Sequence, residues 1–392
     1  MKRYLSLLLA LLGILAFPHC ARADAGTPLM WAGRFHLLFG NALIGVGEAC
    51  LLGWLFGLPK RRSVAIMIPA NYFSAWIGLL FIRGAMDRAP SLDLSNGWRW
   101  FWIMVVVTYG MTLVLEWPFI ALCCRGKKDW LRRSLWALLV VVSASYIALF
   151  GWYWIASGTS LYTEMKIVAP ADLTLPKSVL VYFIASEDGN VYQRQVTGGN
   201  AQSVYALHST SRDDRLFVRP NATDKTHWDL VACLDTGDWR NPRMVDVLKN
   251  LAVEAAPDWL SSVEDPRHVG TDMNVGPVSK LGSATGSSWG FTAYQWPWAG
   301  LRGSNQATGE FVRFSYETPF GEWAVRNAVH LPSDKILFQL GDDQVCAFDP
   351  VTRRVALLWH GRGPVAVIEK PGAEPGGPAN VARPRPRGDK SK

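Results

Sequence analysis

The sequence is poor in the patterns that mark chemistry at short range. Its 392 residues include six cysteines and seven histidines. None of them falls at metal-ligand spacing, and neither H-x-x-x-H nor H-E-x-x-H occurs. There is no glycine-rich loop of the phosphate-cradling kind, so the common nucleotide-binding motifs are excluded. Charged side chains make up only 18% of the chain, and the formal net charge of +8 comes largely from residues beside apolar segments and in the tail. No basic stripe with interleaved aromatics occurs in the polar part, so nucleic acid is not an expected partner. No metal, other cofactor or catalytic residue is assigned from these patterns.

What is present is an imbalance. Four long apolar runs lie at residues 35–58, 63–82, 100–123 and 135–156, and nothing comparable follows before Lys392. Each run reaches the roughly 20 residues needed to cross a 30 Å hydrocarbon core as a helix. The fold class expected is therefore a multi-domain membrane protein, with a four-helix transmembrane bundle followed by an all-β domain at residues 157–370. The bilayer is the first expected partner, and a protein in the membrane or envelope the second.

Two independent signals set the direction of insertion. Lys2 and Arg3, the apolar stretch from Leu5 to Ala16 and the small residues Ala21 and Ala23 read as a cleaved export signal over residues 1–23. Cleavage would lower the net charge to +5, because Lys2, Arg3 and Arg22 leave with no acidic residue. A short exported linker at residues 24–34 then precedes the first span. Lys60, Arg61 and Arg62 join the first two spans, and Arg125, Lys127, Lys128, Arg132 and Arg133 join the last two. Both basic loops belong in the cytoplasm. Trp98, Trp100, Trp102, Trp152, Tyr153 and Trp154 mark the outer boundary, where amphipathic rings favour the headgroup region. The expected location is the bacterial inner membrane, multi-pass, with the C-terminal domain periplasmic.

The first three spans contain polar residues that hydrocarbon disfavours: Asn41 and Glu48, then Asn71, then Glu116. A charged group at mid-membrane costs at least about 2.5 kcal/mol, so these residues should face the bundle interior. Counting from the cytoplasmic ends places Glu48, Asn71 and Glu116 about 10–15 Å deep at 1.5 Å per residue, in one layer. Pro69 and Pro118 lie two residues from Asn71 and Glu116, and each frees a carbonyl one turn earlier. Two roles compete for this layer. It can hold a proton or cation, or it can glue the bundle through interhelical hydrogen bonds, with Gly45 and Gly47 allowing close approach.

After Thr159 the pattern shifts to short β-like runs. Ser178–Ala185 and Val191–Val196 flank Asp188-Gly189-Asn190, and three strands follow one another over Lys335–Leu340, Val345–Phe348 and Val355–Trp359. Leu216–Arg219, Trp228–Leu234, Trp289–Trp296 and Glu310–Tyr316 also read as strands. One helix is expected from Pro242 to about Val253, with Met244, Val247, Leu248 and Leu251 on one face. The hairpin units resemble propeller blades in architecture, and an irregular sandwich fits nearly as well. Residues 371–392, rich in Pro, Gly and Arg, read as a disordered tail.

Three further groups of residues are candidates for function. Gly286-Ser287-Ser288-Trp289-Gly290 matches G-x-S-x-G, with Asp342 and His360 downstream, but a nucleophile elbow needs a strand before the serine and a helix after it. Trp289, Tyr294, Trp296, Trp298 and Trp323 form either a ligand platform or one buried face of a sheet. Cys233 and Cys346 form either one disulfide or two buried thiols. The leading reading is a membrane-anchored exported binding domain acting as scaffold, sensor or envelope assembly component. The alternative is a subunit of an ion- or proton-coupled transport system using the Glu/Asn layer. A membrane-anchored serine hydrolase using Ser288 is the third.

Overall fold

The computed structural model describes residues 28–86, 92–157, 163–237, 242–257, 276–294, 300–318 and 320–370. The expected signal peptide and the tail lie outside these residues. The chain divides into two compact units. The first holds residues up to Glu164 together with Tyr316–Glu322, and the second holds most of the rest.

The first unit is helical. Helix α1 spans Pro28–Phe35, a π-helical turn spans His36–Gly40, and α2 spans Asn41–Phe56. Helix α3 spans Lys60–Met86, α4 Gly97–Cys124 and α5 Trp130–Ser157. Residues 28–34, expected within the linker, are helical, and the apolar stretch begins at Ala32. Among the described residues, four stretches are long and apolar enough to cross a membrane: Ala32–Phe56, Lys60–Ile82, Gly97–Cys124 and Trp130–Ala156. Gly57 ends α2 in the left-handed region at φ 62°, and the Leu58 N–H returns to the Leu52 carbonyl at 3.3 Å. A side chain is disfavoured there, and Pro59 then prevents the helix from continuing.

Small and medium side chains fill the bundle interior, including Ala49, Leu52, Met67, Ala70, Ile120, Ala137 and Val141. The outer surface is apolar as well: Trp54 is 78% exposed, Val114 72%, Ile147 75% and Leu80 70%. A helical bundle with apolar residues on both faces has lipid as its outer solvent. This molecule is membrane-embedded.

The second unit is β-rich. Its largest sheet has six strands in the order Lys166–Ile167, Arg354–His360, Gln344–Asp349, Lys335–Leu340, Val325–Leu331 and Ser279–Lys280. A five-stranded sheet runs Gly198–Tyr205, Val191–Gln195, Val179–Ile184, Arg362–Glu369 and Val253–Ala255. Arg215–Pro220, Trp228–Leu234 and Arg243–Leu251 make a three-stranded sheet. Gly276–Pro277, Trp289–Tyr294, Gly300–Asn305 and Phe311–Phe314 make a four-stranded one. The expected hairpin forms with Leu180 opposite Gln195 and Ile184 opposite Val191. Its turn requires glycine, because Gly189 has φ 69° and a Cβ there would lie 2.1 Å from the Ser209 carbonyl oxygen.

The helix expected from Pro242 to Val253 is a β-strand. Arg243–Leu251 pairs antiparallel with Trp228–Leu234, and the register shifts twice, between Trp228 and Leu230 and between Leu230 and Val231. Each bulge offsets the two-residue alternation. Val247, Leu248 and Leu251 therefore all reach the core, and their spacing imitates a helical stripe.

One buried ion pair carries a prediction. Lys335 Nζ lies 3.0 Å from Asp349 Oδ2, with side chains only 11% and 8% exposed. Burial opposes ionisation of Asp349, but hydrogen bonds from Thr352 and Lys335 outweigh it and hold the carboxyl below its usual range. Stability from this pair is thus present above the unfolded carboxyl pKa, near ~4, and is lost as pH falls through the folded value. Asp349→Asn should destabilise the β-rich unit by roughly 3 kcal/mol at neutral pH. Denaturant titrations of wild type and variant should converge on acidification; a gap that persists at low pH would contradict this assignment.

Candidate functional site

Each helix from α2 to α5 contributes a polar side chain to one buried chain of hydrogen bonds. The close approach of α2 and α3 begins it. A Cβ at Gly45 would sit 2.8 Å from the Ile68 Cα and 2.9 Å from its nitrogen, so only glycine permits this crossing. Gly47 has no neighbour within 4 Å of such a position, and it plays no part in the contact. Side chains on a helix lean toward its N-terminus. In two antiparallel helices Glu48 therefore leans back toward Gly45 and Asn71 toward Ile68, and the two meet at the crossing.

Asn71 Nδ2 donates to Glu48 Oε2 at 2.5 Å and to the Met67 carbonyl at 3.0 Å. Ser145 Oγ, from α5, donates to the other carboxyl oxygen, Glu48 Oε1, at 2.5 Å. Ser74, one turn after Asn71, lies 2.6 Å from Glu116 Oε1 and 3.1 Å from the Asn71 carbonyl. The single hydroxyl proton of Ser74 serves one of these acceptors at a time. Ser145–Glu48–Asn71–Ser74–Glu116 is thus a continuous polar path across four helices. Glu48 is 2% exposed, Asn71 5% and Glu116 1%. Glu116 Oε2 is buried with no hydrogen-bond partner among the described residues.

A cavity of about 530 Å³ opens beside this path, and Glu48, Asn71, Ser74, Glu116 and Ser145 all line it. Thr112, one turn before Glu116, also lines it and shares a 2.9 Å hydrogen bond with the Tyr146 hydroxyl. Asn41 reaches the cavity too, but its amide donates to the Leu37 carbonyl at 3.3 Å, and it is not hydrogen-bonded into the Glu48–Glu116 path. It follows directly on the π-helical turn His36–Gly40, a rare local geometry that recurs at functional sites. His36 Nδ1 lies 2.9 Å from the Tyr153 hydroxyl.

Sequence reasoning named Glu48, Asn71 and Glu116 and missed Ser74, Ser145, Thr112 and Tyr146. A serine or threonine can satisfy its hydroxyl on its own helix: the Val141 carbonyl lies 3.0 Å from Ser145 Oγ, and the Thr108 carbonyl 2.9 Å from Thr112 Oγ1. Such residues do not interrupt an apolar run. The available signal was the cluster Ser143-Ala144-Ser145-Tyr146 inside the most apolar span.

The other candidates disperse. Trp289 is 3% exposed and stacks on Phe291 with ring centroids 5.6 Å apart. Its ring lies on the buried face of its strand. Trp323 is half-buried, with its ring 3.3 Å from where a Cβ on Gly341 would sit. Trp296, Trp298 and the Tyr294 side chain lie outside the described residues. Cys233 and Cys346 are both buried, on strands of the three-stranded and the six-stranded sheet respectively. Ser288 is preceded by the short turn Gly282–Gly286 and followed by the strand Trp289–Tyr294, the reverse of a nucleophile elbow. His360 faces Asp343 at 3.4 Å, and Asp342 faces Arg212 at 3.8 Å.

The chain matches no family model, no curated protein and no solved structure.

Proposed function

We propose that the bundle is the ion-coupling subunit of a membrane transport system, with Glu48 and Glu116 exchanging protons or cations through the cavity they line. The observation that supports it is the pairing of two buried carboxyls on one polar path, with Glu116 Oε2 left without a hydrogen-bond partner among the described residues. Structural glue would bond all four carboxyl oxygens, as Glu48 does with both of its own. Intramembrane carboxyls that face a cavity are functional by default. Ser74 and Ser145 can each turn their hydroxyl from the carboxyl to a carbonyl of their own helix, which frees a carboxyl oxygen to take up a proton or cation from the cavity. Four helices are few for a complete translocation path, so the unit works with further copies or other subunits.

In this reading the basic loops beside Lys60–Arg62 and Arg125–Arg133 face the cytoplasm, and the β-rich domain lies on the outer side. There it recruits or senses a partner of the system. Its fold is read as blade-like sheets of which the C-terminal strand Arg362–Glu369 fastens the first, supported by the pairing of that strand with Val179–Ile184.

A hydrophobic carbodiimide tests the exchange reading, because it forms a stable adduct with carboxyls in apolar surroundings that bind and release protons. Mass spectrometry of the treated full-length protein should locate the adduct at Glu116, and excess permeant cation should suppress it. An unlabelled Glu116 beside a labelled control carboxyl would refute exchange at this site.

A further inference from the structure

The cavity's chemistry also restricts what it accepts. Away from the carboxyls its wall is apolar, formed by Ile44, Leu79, Trp102, Val142 and Phe150 among others. Its volume of about 530 Å³ falls within the roughly 300–1,000 Å³ typical of small-molecule sites. Ile147 lines the cavity and is also 75% exposed on the bundle surface, so the cavity reaches the face that meets lipid. Among the described residues no lysine or arginine lines it, and its imidazole, His36, is paired with Tyr153. The polar end is short of donors. Asn71, Ser145 and Ser74 occupy three carboxyl oxygens, and Glu116 Oε2 remains without one among the described residues. A buried acceptor on an ionisable group is best satisfied by a charged donor.

We infer that the cavity is a binding site for a lipophilic ammonium ion: an apolar body of about one or two rings carrying a protonated primary or secondary amine. The N–H donates to Glu116 Oε2, the body fills the apolar wall, and the molecule enters sideways from the bilayer. This names the cargo of the exchange site and rests on that reading. Charge selects the cation over a neutral alcohol, and the need for a donor selects it over a quaternary ammonium.

The test uses the full-length protein in lipid nanodiscs and three probes of one shape: 1-naphthylmethylamine, 1-naphthylmethanol and trimethyl(1-naphthylmethyl)ammonium. The amine should bind saturably and at least about tenfold tighter than either analogue, the margin of one charge-assisted hydrogen bond. Glu116→Gln should remove that margin. Gly78 lines the cavity, and a Cβ there meets nothing within 4 Å, so Gly78→Leu should fill the space and block the amine while the bundle stays folded. Equal binding of all three probes, amine binding indifferent to both variants, or no saturable amine binding above empty nanodiscs would overturn the inference. Absence of amine binding beside carbodiimide labelling of Glu116 rejects the ligand class and leaves exchange standing. Saturable, Glu116-dependent amine binding by a protein whose Glu116 resists the reagent upholds the site and rejects exchange.

Discussion

Glu116→Gln is expected to reduce coupled proton or cation movement in proteoliposomes to the level of empty vesicles while the protein accumulates at a near-wild-type level. Only one oxygen of Glu116 is hydrogen-bonded, by Ser74 at 2.6 Å. A glutamine can keep its Oε1 on that hydroxyl and turn its amide toward the cavity, so the Ser74 bond is kept and the amide replaces an oxygen that is itself without a partner among the described residues. Glu48 differs, because both of its oxygens accept, from Asn71 and from Ser145 at 2.5 Å each. Glu48→Gln folds only if Ser145 reverses, accepting from the new amide and donating to the Val141 carbonyl 3.0 Å away. Glu48→Gln combined with Ser145→Ala leaves a buried amide proton unpaired, and the double variant should be depleted beyond the sum of the singles. Quantitative blotting of membranes beside the flux assay separates the roles. Loss of flux with retained Glu116→Gln protein marks an exchanging group, and parallel loss of both marks glue.

Gly45→Val should remove most of the folded protein. The added Cβ meets backbone atoms of Ile68 and Met67 at 2.8 to 3.0 Å, and backbone in a packed helix pair cannot move aside as a side-chain tip can. Separating α2 from α3 breaks the Glu48–Asn71 bond at the same crossing. The penalty is at least about 3 kcal/mol, the upper end for overpacking. Gly47→Val is the control, because a Cβ at Gly47 has open space within 4 Å. Detergent thermal-shift and protease-resistance measurements should show the first variant depleted and the second close to wild type. Equal tolerance of both would mean that α2 and α3 do not cross at Gly45.

Much of this organisation is written locally. The four apolar runs exceed the length of a core helix, and the β-rich part announces its hairpins through Asp188-Gly189-Asn190 and Gly341-Asp342-Asp343. Glu48, Asn71 and Glu116 stood out because hydrocarbon opposes them. What the sequence concealed depends on contacts between distant residues. Ser74 and Ser145 matter because Glu116 and Glu48 lie opposite them across 42 and 97 residues. The strand Arg243–Leu251 was hidden by bulges that exist only against Trp228–Leu234. The pairing of Arg362–Glu369 with Val179–Ile184 likewise has no local signature. Gly45 and Gly47 are alike in sequence, and only the position of Ile68 distinguishes them.

Exchange requires that a carboxyl buried at membrane depth gain and lose a proton or cation in the native bundle. Infrared difference spectroscopy of the reconstituted full-length protein, recorded across an acid-to-alkaline titration, measures this directly. A carboxyl C=O stretching band should bleach as pH rises, shift with added lipophilic amine and vanish in Glu116→Gln. A spectrum with no such band, or with one that survives in both Glu116→Gln and Glu48→Gln, would contradict the account.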